Sequence, residues 1–468
     1  AFELATITGV TTTRVTSIAV TNEGQSLFLG TSDGSFNVYK CSNDSINTNK
    51  RGSFVYHIDE VLSKKHRDHK PITQTRVVED WKVVIALIDG QIMAFDVFSY
   101  KPTVGIPDTR GAVCFSADQS NNLLYVGGNR KIQIFSWQSI GILPKHEIPL
   151  SDTPKLISYS PSNGSSSTNQ NIVLWLSGEY CILDTDSGRL SSSILTSTSS
   201  NNSITSYNLF SPVMLPVKSS EIRGPRVLVS NGSKGMLIDV NGKDQNEMMS
   251  WDSPPLSVEY CAAFFIAALS NQIQIHDAST LVPIQTFDTS GVCCLATCAI
   301  KSATNVLSFV GTLQSVRLLK MIPIKNQVNQ LLESQNYENA LSLCSIASNE
   351  PILLDGVTVS ATHERYAFYL FSHGNYESSV NQFIKAKVPI SQVIGLFPSI
   401  LPPNLPFKFM VYSSASGIDS VPRELTGFNL HQAASALTNY LEKVKEEIYE
   451  KALKNAEFES SEEVSDAV

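Results

Sequence analysis

One short unit recurs seven times along the first two thirds of the chain, and it constrains the fold more than any other feature. Two apolar, strand-like runs flank a tight polar turn, and the second run ends in a polar residue six positions after the turn. The first four copies run from Leu27 through Gly34 to Lys40, from Val83 through Gly90 to Asp96, from Leu123 through Arg130 to Ser136, and from Ile172 through Gly178 to Asp184. The last three run from Val227 through Ser233 to Asp239, from Phe265 through Asn271 to Asp277, and from Leu307 through Gln314 to Lys320. The turns have hairpin chemistry, as at Asp33-Gly34 and Asp89-Gly90, and the flanks alternate, with Ile132 and Ile134 against Lys131 and Gln133. Each copy therefore predicts an antiparallel hairpin.

The offset inside the unit is constant while successive turns lie 38 to 56 residues apart. That spacing leaves room for four strands per unit, which is the arrangement of a β-propeller rather than of a sandwich or a helical solenoid. Residues 1–322 are therefore expected to form a seven-bladed propeller, with the segment before the first turn supplying a strand to the last blade. The Ser/Thr/Asn-rich stretches Ser158–Gln170 and Ser191–Ser206 have little to bury and are expected as surface loops.

Beyond Pro323 the apolar period changes from two to 3.6 residues. Val328, Leu331 and Leu332 share a face, then Tyr337, Ala340, Leu341 and Cys344 follow the Ser334-Gln335-Asn336 turn. A second pair repeats this around the His373-Gly374-Asn375 turn. Paired helices of this kind bury their faces by stacking, so residues 323–458 are expected to begin an α-solenoid. Its last helix is expected from about Leu430 to Phe458, and 459–468 as a flexible acidic tail. The few repeats suggest part of a longer protein.

No P-loop, dinucleotide-binding or zinc-protease pattern occurs, and the one GxSxG match, Gly30-Thr31-Ser32-Asp33-Gly34, is a hairpin turn rather than a strand-to-helix elbow, so no catalytic residue, cofactor or metal site is expected. The eight cysteines lack CxxC or Cys/His spacing and are expected as reduced core thiols, Cys293 and Cys294 among them in a buried strand. Asp96, Asp184, Asp239 and Asp277 sit at the strand-end offset, where a carboxylate capping a turn is expected. A formal net charge of −8 argues against a nucleic-acid partner. The longest apolar run, near Cys261 to Leu269, is about half of the ~20 residues that a membrane-spanning helix needs. The one basic cluster, with Lys64, Lys65, Arg67 and Lys70, is the candidate contact for an anionic lipid or protein surface.

Three stretches carry a resemblance. Lys234-Gly-Met-Leu-Ile-Asp-Val-Asn-Gly-Lys243, then Met249-Ser-Trp-Asp-Ser-Pro254, then the strand from Phe265 to Asp277 resemble the most diagnostic part of the citron-homology domain, a propeller family. Met321 to Leu332, Tyr337 to Leu343 and Val393-Ile-Gly-Leu-Phe-Pro-Ser-Ile-Leu-Pro402 are similar to the junction and first clathrin-repeat-like helices of a subunit family of the HOPS membrane-tethering complex. The resemblance implies a scaffold that binds a Rab-type small GTPase in its GTP form and joins other tether subunits through its solenoid. It also implies peripheral contact with the late-endosomal, lysosomal or vacuolar membrane, with no small-molecule substrate. Guanine-nucleotide exchange on Rag or Rab GTPases, and membership of the early-endosomal CORVET tether, are the alternatives that it leaves open.

Overall fold

The computed structural model describes residues 2–8, 10, 14–21, 24–48, 54–65, 70–103, 106, 109–138, 141–159, 171–191, 212–215, 226–239, 244–261, 264–278, 280–300, 305–348, 359–397 and 425–465. Its contacts divide the chain into two compact units, Ala1–Ile322 and Pro323–Val468.

The first unit is a seven-bladed β-propeller. Blade 1 holds β2 (Val15–Val20), β3 (Ser26–Thr31), β4 (Ser35–Thr48) and β5 (Phe54–Lys65). Blade 2 holds β6 (Ile72–Val78), β7 (Val83–Ile88) and β8 (Gln91–Asp96), and blade 3 holds β9 (Ala112–Asp118), β10 (Leu123–Gly128), β11 (Lys131–Gln138) and β12 (Gly141–Pro149). Blade 4 follows with β13 (Leu156–Tyr159), β14 (Asn171–Leu176) and β15 (Glu179–Asp184), then blade 5 with β16 (Val213–Leu215), β17 (Arg226–Asn231), β18 (Lys234–Asp239) and β19 (Asp244–Ser250). Blade 6 holds β20 (Ser257–Cys261), β21 (Phe264–Ala268), β22 (Gln272–Asp277) and β23 (Pro283–Asp288). The last blade is built from β24 (Val292–Ile300), β25 (Asn305–Thr312), β26 (Val316–Met321) and the first strand of the chain, β1 (Phe2–Thr8).

All seven recurring hairpins are thus the second and third strands of a blade. Ile132 and Ile134 are buried while Lys131 and Gln133 are half-buried, as a period of two requires. Between neighbouring blades the inward residues form separate cores: Phe28, Val38, Ile72 and Val84 join blades 1 and 2, and Ile85, Phe115, Leu124 and Val126 join blades 2 and 3. Each such side chain removed from water contributes roughly 1.5–3 kcal/mol.

The ring closes through β1. It runs antiparallel to β26, with Phe2 opposite Met321 and Thr6 opposite Arg317, and parallel to β5 of blade 1. It also reaches blade 6, where the Phe2 N–H donates to Gln285 Oε1 at 2.8 Å and Gln285 Nε2 donates to the Phe2 carbonyl at 2.9 Å. Phe2 and Phe264 meet edge to face with centroids 5.5 Å apart.

Among the described residues, four inner strands carry a bulge at their second residue, leaving Thr16, Thr73, Val113 and Cys293 unpaired in the ladder. In three of them the residue after the bulge faces a glycine: Ser17 faces Gly30, Cys114 faces Gly127 and Cys294 faces Gly311. A side chain on Gly30 would meet Ile72 of the next blade at 2.7 Å, and one on Gly127 would meet Pro154 at 2.8 Å. These glycines let each blade approach its neighbour. Polar side chains tie the same seams: Ser17 Oγ donates to the Ile72 carbonyl at 3.0 Å, and Gln74 bridges both backbone groups of Phe115.

The stretches expected as polar loops lie mostly outside the described residues, although β13 takes up Ser158 and Tyr159.

In the second unit α1 (Ile324–Glu333) and α2 (Tyr337–Ser348) form one helical hairpin, and α3 (Val359–Ser372) and α4 (Tyr376–Ala386) another. The two turns share their geometry. Gln335 (φ 60°) and Gly374 (φ 84°) are left-handed, and the Asn336 and Asn375 N–H groups bond back to Leu331 and Leu370. The short α5 (Ile390–Ile394) and the long α6 (Gly427–Ser465) follow. Ala433, Ala436, Leu437 and Tyr440 of α6 pack with Val380 and Phe383 of α4 in one core. The last helix is longer than its apolar stripe predicted and carries the first part of the acidic stretch, whose Glu, Ser and Val residues contain no helix breaker.

Candidate binding surfaces

The inner strands of all seven blades wall a central channel of about 660 Å³. Among its described lining residues two are charged, Arg76 of β6 and Glu259 of β20. Arg76 is exposed to the channel and Glu259 is half-buried, yet the channel walls enclose both, so they penalise their charged forms. Enclosure lowers the Arg76 pKa from its ordinary value, partly offset by Glu259. The same enclosure pushes the Glu259 carboxyl up to about 7, against the pull of Arg76. Glycosidase-type chemistry needs two carboxylates flanking one bond, and Glu259 is the one carboxylate among the described lining residues.

The strand-end aspartates act on turns. Asp96 Oδ1 accepts from the Phe98 N–H at 3.1 Å and from the Ser99 N–H at 2.6 Å. Asp184 Oδ1 accepts from the Asp186 and Ser187 N–H groups, and its Oδ2 from the Ser187 hydroxyl at 2.7 Å. These bonds hold both carboxyls below their ordinary pKa, the Ser99 N–H being the largest cause for Asp96 and the Ser187 hydroxyl for Asp184. Asp277 is buried at the end of β22, and the Asp239 side chain lies outside the described residues.

The basic cluster is only partly described. Lys64 and Lys65 end β5, opposite Phe36 and Ser35 of β4. The Lys64 side chain is exposed. Lys70 precedes β6, with its Nζ 2.7 Å from Asp89 Oδ1 in the β7–β8 turn. Arg67 lies outside the described residues. The three described lysines flank the link from blade 1 to blade 2, where Asp89 already neutralises part of the positive charge.

Pattern reading did not anticipate an aromatic pair on the propeller. Trp81, in the β6–β7 turn of blade 2, and Trp137, on β11 of blade 3, stack with centroids 4.5 Å apart and planes 5° from parallel. Asn122 holds both, accepting from Trp81 Nε1 through its side chain at 2.9 Å and from the Trp137 N–H through its carbonyl at 2.8 Å. Both rings are half-buried. The second unit has its own apolar groove of about 350 Å³, lined by Ile390, Leu441, Val444, Lys445, Ile448 and Tyr449.

The residues that carried the propeller resemblance converge in space. A side chain on Gly235 of β18 would meet Trp251 Cζ3 at 3.0 Å and Leu228 Cδ1 at 3.1 Å, so this position is a bed for the indole. Trp251, buried, lies edge to face with His276 of β22 at 6.4 Å. Glycine, tryptophan and the Ile273/Ile275 strand are therefore parts of one contact between blades 5 and 6.

Comparison with known proteins agrees. The chain is 27% identical over 391 residues to "Vacuolar sorting protein 39" of Arabidopsis thaliana, covering 82% of this chain and 36% of that protein. It is 24% identical over 402 residues to "Vacuolar morphogenesis protein 6" of Schizosaccharomyces pombe, covering 84% and 42%. It is 21% identical over 457 residues to the human "Vam6/Vps39-like protein", covering 93% and 46%. The chain thus spans less than half the length of these relatives. The CNH domain matches residues 23–298, which take in most of the propeller, and the chain belongs to the CNH domain family.

Proposed function

We propose that this chain is the propeller-and-helix part of a membrane-tethering subunit of the HOPS type, acting as a binding scaffold in vacuolar or lysosomal protein sorting. In this reading the propeller engages a late-endosomal or vacuolar Rab-type GTPase in its GTP form. The helical hairpins continue as an α-solenoid that assembles with other tether subunits, and the complex holds two membranes together before fusion. The observation that carries the reading is similarity to vacuolar sorting and morphogenesis proteins over 82% to 93% of the chain, across propeller and helices alike. The absence of a helix long and apolar enough to cross a membrane, among the described residues, is compatible with peripheral attachment.

The basic sequence cluster of Lys64, Lys65, Arg67 and Lys70 is our candidate for the GTPase or lipid contact. The deciding experiment is capture of Rab-type and Rag-type GTPases on the immobilised chain, each loaded with GTP or GDP or stripped of nucleotide. GTP-preferring Rab capture without faster nucleotide release is expected. Tighter capture of the stripped GTPase with faster release would replace the scaffold by an exchange factor. Changing Lys64, Lys65, Arg67 and Lys70 together to Gln is expected to weaken capture several-fold and to leave the fold intact, since an exposed pair such as Lys70–Asp89 is worth about 0–1 kcal/mol. Unchanged capture at physiological salt would remove this cluster from the proposal.

A further inference from the structure

We infer that Cys293 and Cys294 form an oxidisable vicinal dithiol, which a hydroperoxide converts to a disulfide and a trivalent arsenical bridges. Neighbouring residues in a regular strand point to opposite faces, so adjacent cysteines normally keep their sulfurs apart. Here the bulge breaks that alternation: Val292 pairs with Thr312 and Cys294 with Gly311, leaving Cys293 as the inserted residue. Both sulfurs converge on one residue. The Cys293 thiol donates to the Gly311 carbonyl at 3.3 Å and to the Gly291 carbonyl at 3.7 Å, and a side chain on Gly311 would come 2.5 Å from Cys294 Sγ. Glycine at that position makes the room that the buried sulfur occupies.

The surroundings divide the pair into an attacking and a resolving thiol. Cys293 is half-buried and Cys294 is buried. The neighbouring Cys294 thiol, then the charge of Arg14, lower the Cys293 pKa against the opposing effect of burial. The neighbouring Cys293 and burial hold Cys294 protonated. Elsewhere burial pushes the thiols up, to about 12 for Cys114 and Cys298, which leaves them inert by comparison. The equivalent bulges of blades 1, 2 and 3 carry Thr16, Thr73 and Val113 in place of a thiol.

The chemistry balances with a hydroperoxide as oxidant. The Cys293 thiolate attacks the peroxide O–O bond, giving a sulfenic acid and releasing hydroxide or alkoxide, which takes up a proton. The Cys294 sulfur then displaces water from the sulfenic acid, so two thiols and one peroxide give a disulfide and, from hydrogen peroxide, two waters. Adjacent Cα atoms are held ~3.8 Å apart, below the ~4.4–6.8 Å usual for a disulfide, so the bond would be strained and readily reduced.

The test uses the whole chain. After brief exposure to hydrogen peroxide, quenching, unfolding and maleimide labelling, the loss of two of the eight labels is expected, at Cys293 and Cys294. Dithiothreitol should restore both. Phenylarsine oxide should bind at one equivalent per chain, unchanged in C298S and abolished in C293S, whose half-buried position on a bulge makes it the milder of the two pair variants. All eight labels surviving, a disulfide to Cys298, over-oxidation of Cys293 alone, or undiminished arsenical binding by C293S would each overturn the inference.

Discussion

Single residues in this propeller are set by neighbours that the chain reaches only after many residues. Gly30 is one case, since its missing side chain is required by Ser17 within the blade and by Ile72 in the next. Gly30→Ala is expected to cost about 1–3 kcal/mol by overpacking, read as a lower urea midpoint. Glu259 is another. Its carboxyl has a folded pKa raised toward about 7 from the ordinary 4.5, so the protonated form is the one the channel favours. The stability associated with that proton is complete below about pH 4.5 and is lost as pH rises through 7. Glu259→Gln keeps the neutral form at every pH, so its melting temperature should gain on the parent protein between pH 4.5 and 7 and hold that gain above. A constant difference across that range would show that Glu259 titrates normally. The turn-capping role of Asp96 and Asp184 was legible, because a carboxylate at a repeated strand end has a local partner. Gly30, Arg76 and Glu259 were not, because nothing local in the sequence brings blade 1 to blade 2 or Arg76 to Glu259.

At the scale of elements, all seven hairpins were readable because turn chemistry and alternation are local properties. The outer strands were harder, and β1 hardest, since its partner β26 lies at the other end of the propeller and only the need to close a ring pointed to it. Gln285 is the side chain that ties this strand to blade 6. Gln285→Ala removes two partly buried hydrogen bonds and should cost about 1–2 kcal/mol in a denaturant melt. Removing residues 1–8 should do more, leaving the edge of β26 unpaired and promoting self-association detectable by light scattering. Both helical hairpins were legible for the same reason as the strands, their Ser334-Gln335-Asn336 and His373-Gly374-Asn375 turns being local. The Trp81–Trp137 stack was not, because it joins a turn of one blade to a strand of the next.

At the scale of the molecule, charge separates the two units. The stretch up to residue 322 carries 25 basic and 26 acidic residues, and the rest carries 10 and 17. The overall acidity therefore belongs to the helices and does not oppose an anionic partner for the propeller. We expect residues 1–322 produced alone to unfold in one cooperative transition and to retain the GTPase capture of the whole chain, with partner-subunit capture lost. Loss of GTPase capture from that fragment would move the contact to the helical unit. The closing strand also imposes an order on biosynthesis. Phe2 leaves the ribosome more than 300 residues before Met321, its partner in the ladder, a wait of roughly 15–60 s at ~5–20 residues per second. For that time the nascent propeller is an open arc in which Phe2 lacks its ladder partner Met321 and, until blade 6 is made, its ring partner Phe264. Chaperone engagement should peak while blades 1 to 6 are outside the ribosome and fall when β26 emerges.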